Sequence, residues 1–226
     1  MELLKGKKMR KVTISEKCLR VYPWMKFGYS LVKNLLWGEA SDFLREKQKE
    51  TEDYIRKNSQ DLVEKAKSIS RFYKVQGEKN RSHIESLIQS VSNGKSIKPV
   101  NPVVDSVVIA ELRNALAMGV HDLDRIQGDV VLDVAEGGER FTGIGNRTII
   151  TRPNEVVLRD QKGIWASYTQ GPDAATVVDA ATKNAIILGF FTPETSREAM
   201  SLGIQEAVDL LIRLAKGEAD KAAIIP

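Results

Sequence analysis

The feature that most constrains this chain is a change of hydrophobic period partway along it. From residue 39 to Met118 apolar residues recur at helical spacing, and from Asp129 strand-like patterns take over until a closing helix. In residues 39–72, Phe43, Leu44, Tyr54, Ile55, Leu62, Val63 and Phe72 recur among many charges, which predicts two amphipathic helices broken near Asn58-Ser59. Ser82 and Glu85 have the spacing of a capping box, in which each side chain satisfies an orphan N–H at a helix start. Ile84, Leu87, Ile88 and Val91 supply the apolar face of that helix, and Asn93-Gly94 supplies a left-handed stop. Beyond Pro99 and Pro102, a further apolar helix is expected over Val104–Met118, with Glu111 and Arg113 on its solvent side.

The alternating segments read as strands. Phe27, Tyr29 and Leu31 form one near the start, behind Tyr22-Pro23, and Val130, Leu132 and Val134 form another. Thr148–Thr151, Glu155–Leu158, Ile164–Thr169 and Ala185–Phe191 follow, separated by Gly, Asn and Pro. A last helix is expected to start at Thr192-Pro193-Glu194, which offers an N-cap, an N1 proline and an acid at the positive helix end. Helices followed by strands and a closing helix predict an α+β fold, a mostly antiparallel central sheet with flanking helices. With no evident linker, residues 1–226 read as a single domain.

Composition narrows the chemistry. No run approaches the 18 or so apolar residues of a spanning helix, and no apolar leader follows the basic N-terminus, so a cytoplasmic protein with no membrane partner is expected. A lone Cys18 and two histidines, His83 and His121, cannot build a structural zinc site, and neither a metal nor any other cofactor is predicted. The charge is uneven: residues 1–100 carry 22 Lys+Arg against 12 Asp+Glu, and residues 101–226 carry 12 against 18. A basic half either contacts phosphates or is a solvated helical surface, and Lys7, Lys8 and Lys11 are the nucleic-acid candidates. Gly143-Ile144-Gly145 lacks the later glycine of a dinucleotide fingerprint and reads as a turn. Trp24, Trp37 and Trp165 have apolar neighbours and read as packing residues.

Five segments in order resemble a known family: Arg71-Phe72-Tyr73-Lys74 through Asn80-Arg81-Ser82-His83-Ile84-Glu85-Ser86-Leu87; Asn101-Pro102-Val103-Val104-Asp105; Asp122-Leu123-Asp124-Arg125-Ile126-Gln127-Gly128-Asp129; Glu136-Gly137-Gly138-Glu139-Arg140-Phe141; and Thr182-Lys183-Asn184-Ala185. They resemble stand-alone proteins like the tRNA-editing domain of the phenylalanyl-tRNA synthetase β subunit. That resemblance implies an editing-domain-like α+β fold and a pocket sized for an amino acid esterified to a tRNA end. It implies tRNA or aminoacyl-tRNA as partner, and a free-standing trans-editing factor that hydrolyses mischarged aminoacyl-tRNA. A ligase activity is not implied, because the synthetase needs another subunit for it. Two departures stand out: the family's pocket histidine falls on Gly119, and its late-strand acid falls near Ile187.

Ester hydrolysis needs a positioned water and donors for the developing oxyanion. Asn101 and Asp105 stand at the entrance to an apolar helix, where they either cap it or face a pocket. His121 is the titratable group of the central region, and its neutral form accepts a proton near pH 7; Asp105 and His121 are the catalytic candidates. His83, in the first turn of its helix, reads as a surface residue. Tyr168 and Gln170 end a strand beside Gly171-Pro172, where Tyr168 either stacks on a ligand or packs in the core and Gln170 fixes a carbonyl. Thr176 and Thr182 match polar positions of the family after that turn. With Asn101 these are the substrate-binding candidates. Asp122-Leu123-Asp124 is expected to make turn hydrogen bonds. Two other readings of the same residues remain, a non-catalytic RNA-binding module and a small-molecule binding protein on the same fold.

Overall fold

The computed structural model describes residues 11–36 and 42–226. The chain runs β1 (Val12–Ile14), α1 (Glu16–Val21), β2 (Phe27–Lys33), α2 (Asp42–Val75), α3 (His83–Ser92) and α4 (Pro102–Asn114). The strand-rich part follows: β3 (Ala117–Asp122), β4 (Val130–Val134), β5 (Arg140–Gly143), β6 (Arg147–Ile150), β7 (Val156–Asp160), β8 (Gly163–Ser167), β9 (Gly171–Pro172) and β10 (Ala185–Phe190). Helix α5 (Arg197–Ala215) and the short strands β11 (Glu218–Ala219) and β12 (Ala223–Ile225) complete it.

The helices differ from expectation at their ends. The two predicted over residues 39–72 form one helix, α2, kinked at Asn58 (φ −118°, ψ 20°), whose side-chain amide donates to the Tyr54 carbonyl at 2.8 Å. Ser82 caps α3 by accepting the Glu85 N–H at 3.2 Å, but Glu85 does not complete the box. The Ser82 N–H instead donates to Ser70 Oγ of α2 at 2.9 Å, and the Ser70 hydroxyl donates to the Glu85 carboxylate. The cap thereby fastens α3 to α2. Helix α4 stops at Asn114, with Ala115 left-handed (φ 51°), and residues 117–122 are strand rather than helix. Helix α5 starts behind Ser196, whose Oγ accepts the Ala199 N–H at 3.0 Å; Thr192 forms a turn with Thr195 instead.

The expected antiparallel pairing holds, divided between two sheets and a hairpin. One sheet has the order β1-β4-β7-β8-β9, the second β11-β2-β10-β3 with β12 also on β2, and β5-β6 stand apart. Only β1 and β4 run parallel among the described strands. The second sheet is buried on both faces, as the period of two along β10 requires. Ile186 and Leu188 join Phe72, Tyr73 and Leu132 in one core, while Ala185 and Ile187 join Val107, Met200 and Ile204 of α4 and α5 in another.

Helix α5 lies unusually close to that sheet. Gly28 of β2 and Gly189 of β10 are paired neighbours, and a Cβ on Gly28 would stand 2.7 Å from Ile204 Cδ1 of α5. Met200 occupies the corresponding space over Gly189. Two hydrogen side chains side by side make the groove that receives the helix.

Candidate functional site

Strand β3 has one apolar face and one that opens on a pocket of about 330 Å³. Gly119 and His121 lie on that open face, two residues apart and therefore on the same side of the strand. A Cβ on Gly119 would stand 3.9 Å from His121 Nε2, so the glycine leaves the space in front of the imidazole clear. The connection from β8 to β9 forms a second wall with Tyr168, Thr169 and Gln170, and Tyr73 of α2 and His83 of α3 close a third. Both histidines of the chain thus face one pocket.

The orientation of His121 follows from its neighbours. Its Nδ1 lies 2.9 Å from Thr176 Oγ1, and the Thr176 hydroxyl is bonded to Asp173 Oδ1. A carboxylate only accepts, so the hydroxyl proton points to Asp173 and its lone pair receives Nδ1–H. Nε2 is left as the acceptor. The ring stacks edge-on against Trp165 at 4.6 Å, and burial pushes its pKa down to about 3, so the imidazole is neutral. An imidazole titrating near neutrality was expected; desolvation without a carboxylate at the ring removes that property.

His83 has the opposite environment. Desolvation lowers its pKa, but the hydrogen bond and charge of Glu111 outweigh it, and the net shift is upward. Its Nε2 is 3.6 Å from the buried Glu111 carboxylate, and its Nδ1 is 3.2 Å from the Tyr73 hydroxyl. The side chain is solvent-accessible, as a surface histidine should be, but it opens onto the pocket.

A buried carboxylate shapes the second wall. Glu155, 0% exposed, accepts from Ser167, from Thr169 Oγ1 at 2.8 Å and from the Arg152 N–H at 2.8 Å. Ser167 Oγ in turn accepts the N–H groups of Thr169 (3.2 Å) and Gln170 (3.1 Å). The turn carrying Tyr168 and Gln170 is therefore held from inside. Tyr168 packs on Tyr73 (5.2 Å) and Phe190 (5.3 Å), yet its buried hydroxyl has no hydrogen-bond partner among the described residues. Burial pushes its pKa well up, so it remains a neutral phenol.

The structure gathers some of the predicted residues and separates others. His121, Tyr168 and Gln170 line the pocket, with Thr176 directly behind His121. Tyr168 is both wall and core. Thr182 lies one step away: its hydroxyl donates to Asp122 Oδ2 at 2.7 Å at the end of β3. Asp122 Oδ1 accepts the Asp124 N–H at 2.9 Å, the turn bond expected of that segment. Asn101 caps α4, accepting the N–H groups of Val103 (3.1 Å) and Val104 (2.9 Å). Asp105 accepts the Val100 N–H at 2.9 Å, and burial raises its pKa against the backbone bonds from Val100 and Asn101. Neither Asn101 nor Asp105 lines the pocket. Lys7, Lys8 and Trp37 lie outside the described residues. Lys11 precedes β1, at the opposite edge of its sheet from the β9 wall. Trp165 is buried, and Trp24 packs partly buried against both cores.

Among the described residues no group of three or more His, Cys, Asp or Glu is arranged to hold a metal ion, and no helix is long and apolar enough to cross a membrane. Cys18 is buried beside Asp133, and burial, with that charge, pushes its thiol up to about 12. A more open groove of about 490 Å³ lies between α2, α4 and α5; its rim is closed by paired charges such as Arg113–Glu206 at 2.7 Å.

Among the described residues, two mostly antiparallel sheets, a separate hairpin, five α-helices and a neutral-histidine pocket at a sheet edge define an α+β pocket protein. The profile of the B3/4 domain matches residues 53–220, and the chain belongs to that family. The phenylalanine–tRNA ligase β subunit of Mycoplasma genitalium is 34% identical over 88 residues, 39% of this chain and 11% of that protein. The β subunit from Fusobacterium nucleatum is 25% identical over 119 residues, 52% of this chain and 15% of its own length. The chain thus spans only a small part of these relatives. An N-terminal fragment of the phenylalanyl-tRNA synthetase β subunit from Pyrococcus horikoshii shares the fold, with a TM-score of 0.55 and 16% identity over 98% of this chain and 55% of that one.

Proposed function

We propose that this chain is a cytoplasmic trans-editing factor that hydrolyses the ester of mischarged aminoacyl-tRNA in the His121 pocket. The single observation that carries the reading is the fixed neutral imidazole, whose Nε2 acceptor stands at the edge of an aromatic pocket of amino-acid size. Membership of the B3/4 family supports it.

In this reading His121 Nε2 accepts a hydrogen bond from water and aims it at the ester carbonyl. With its pKa near 3 the ring orients the water rather than removing its proton outright. The water oxygen bonds to the carbonyl carbon, the bond from that carbon to the ribose oxygen breaks, and the proton ends on the ribose hydroxyl. The vicinal ribose hydroxyl relays it. The product is a free amino acid and an uncharged tRNA. Tyr168 and Phe190 pack against the amino-acid side chain, and Gln170 selects its polar groups. Thr176 and Asp173 position His121, Thr182 holds the end of β3, and Asn101 and Asp105 act through the start of α4.

The test is release of amino acid from a panel of correctly and wrongly charged tRNAs. Selective release from one mischarged member is the expected result. Retention of every amino acid, at protein in excess over tRNA, overturns the hydrolytic reading.

A further inference from the structure

The corner between α2 and α3 that closes the pocket carries a second concavity on its outer side. Tyr73 and His83 line the pocket, while their near neighbours Lys74 and Arg81 line a groove of about 420 Å³. Five cations meet there, Lys67, Arg71, Lys74, Lys79 and Arg81, with Glu85 as the one carboxylate in the lining. Glu85 is already engaged, accepting from Ser70 and from Gln89 at 3.2 Å.

The arrangement has a direction. Lys67, Arg71 and Lys74 fall on one stripe of α2 at i, i+4 and i+7, about 10 Å from end to end at the helical rise. Lys79 and Arg81 extend the row toward α3. Lys67 and Arg71 are paired with Glu64 (2.7 Å) and Glu194 (3.0 Å). Lys74, Lys79 and Arg81 are exposed and make no salt bridge among the described residues; Arg81 is held out by the neutral side chain of Gln89. Most other cations of α2 are paired, as in Arg56 with Glu52 and Asp53, and Lys49 and Lys57, which make no salt bridge among the described residues, stand singly rather than in a row. A row of cations fits a linear polyanion with repeated phosphates better than a single small anion.

We infer that the groove formed by Lys67, Arg71, Lys74, Lys79 and Arg81 is the docking surface for the phosphate backbone of an RNA strand. The inference rests on the pocket reading only for the identity of the RNA whose end enters the pocket. Backbone contact at this corner holds the strand within reach of the Tyr73–His83 wall, and it does so without reading sequence.

The test is binding of uncharged bulk tRNA across a salt series by the native protein and by the variant Lys74→Ala/Lys79→Ala/Arg81→Ala. These side chains are exposed and leave the fold in place, which thermal unfolding checks. We expect the variant to bind at least about 10-fold more weakly and the slope of log affinity against log salt to flatten by about two. Lys98→Ala/Lys162→Ala, which removes exposed lysines elsewhere, should keep the native slope. A triple variant with native affinity and slope overturns the inference, as does the absence of tRNA binding by the native protein. Hydrolysis of a short aminoacyl ester without an RNA body separates the two readings. If the ester is hydrolysed normally by a variant that no longer binds tRNA, pocket and groove both stand. If tRNA binds through the groove but no ester is hydrolysed, the groove stands and the hydrolytic reading fails.

Discussion

His121 and Thr176 are 55 residues apart in sequence and meet at 2.9 Å, imidazole nitrogen to hydroxyl oxygen, behind the wall of the pocket. Because the Thr176 proton is turned toward Asp173, this one contact fixes which imidazole nitrogen faces the pocket. Thr176→Val keeps the shape and removes the acceptor. We expect kcat for aminoacyl-ester hydrolysis to fall by about 10- to 100-fold with little change in KM, and Thr176→Ser to restore it. A Val variant with native kcat would mean that the threonine hydroxyl does not matter.

The buried neutral imidazole also sets an acid limit on stability. The unfolded histidine titrates near 6.5 and the folded one near 3, so between these values the unfolded chain binds the extra proton and stability falls as pH falls. His83, whose folded pKa is raised, works the other way between that raised value and 6.5, gaining stability as pH falls, and below about pH 6 it is protonated in both states and adds little slope. We expect about 1 kcal/mol to be lost between about pH 6 and about pH 5, and His121→Gln to flatten that segment in urea unfolding series. A native protein with constant stability across this window would contradict the assigned burial.

Asp105 is engaged by the N–H of Val100 and sits at the start of α4. Asp105→Ala should cost about 1–2 kcal/mol, measured by denaturant midpoint, and leave the turnover of the folded fraction near native. A variant of native stability with abolished turnover would instead put this carboxylate in the reaction.

Gly28 and Gly189 make room for α5. Gly28→Val places methyl groups against Ile204, Ile224 and Met200, and about 1–3 kcal/mol of destabilisation is expected from overpacking. Thermal unfolding reads it, and an unchanged midpoint would mean that α5 shifts outward without cost.

The sequence disclosed its fold where one local pattern ruled. The apolar run Ala185–Phe191, set off by turn signals, marked β10, and the Asn58 break located the kink of α2. It misled where tertiary packing took over. The run Val104–Met118 has helical spacing throughout, but Ala117 and Met118 point into two different cores and belong to β3. The Ser82–Glu85 spacing marked a helix start correctly, while Ser70 of another helix took the second half of the cap. Tyr168 and Gln170 were readable as pocket residues because they end a strand beside a turn, and His121 because it is the titratable group of the central region. Asp173 and Glu155 were not, since what gives each its role lies across the fold, and Gly119 was marked only by the family resemblance. The one signal for His83 was its presence in a segment of family resemblance, and its Glu111 partner lies on a different helix.

The most direct measurement is the ¹⁵N spectrum of the His121 imidazole, recorded alone and with a non-hydrolysable aminoacyl-amide analogue of a tRNA 3′ end. The account predicts a neutral ring protonated on Nδ1 throughout, with the Nε2 resonance moving as the analogue binds and Tyr168 reporting the same affinity. An Nε2-protonated ring, or analogue binding that leaves both His121 and Tyr168 unmoved, would contradict it.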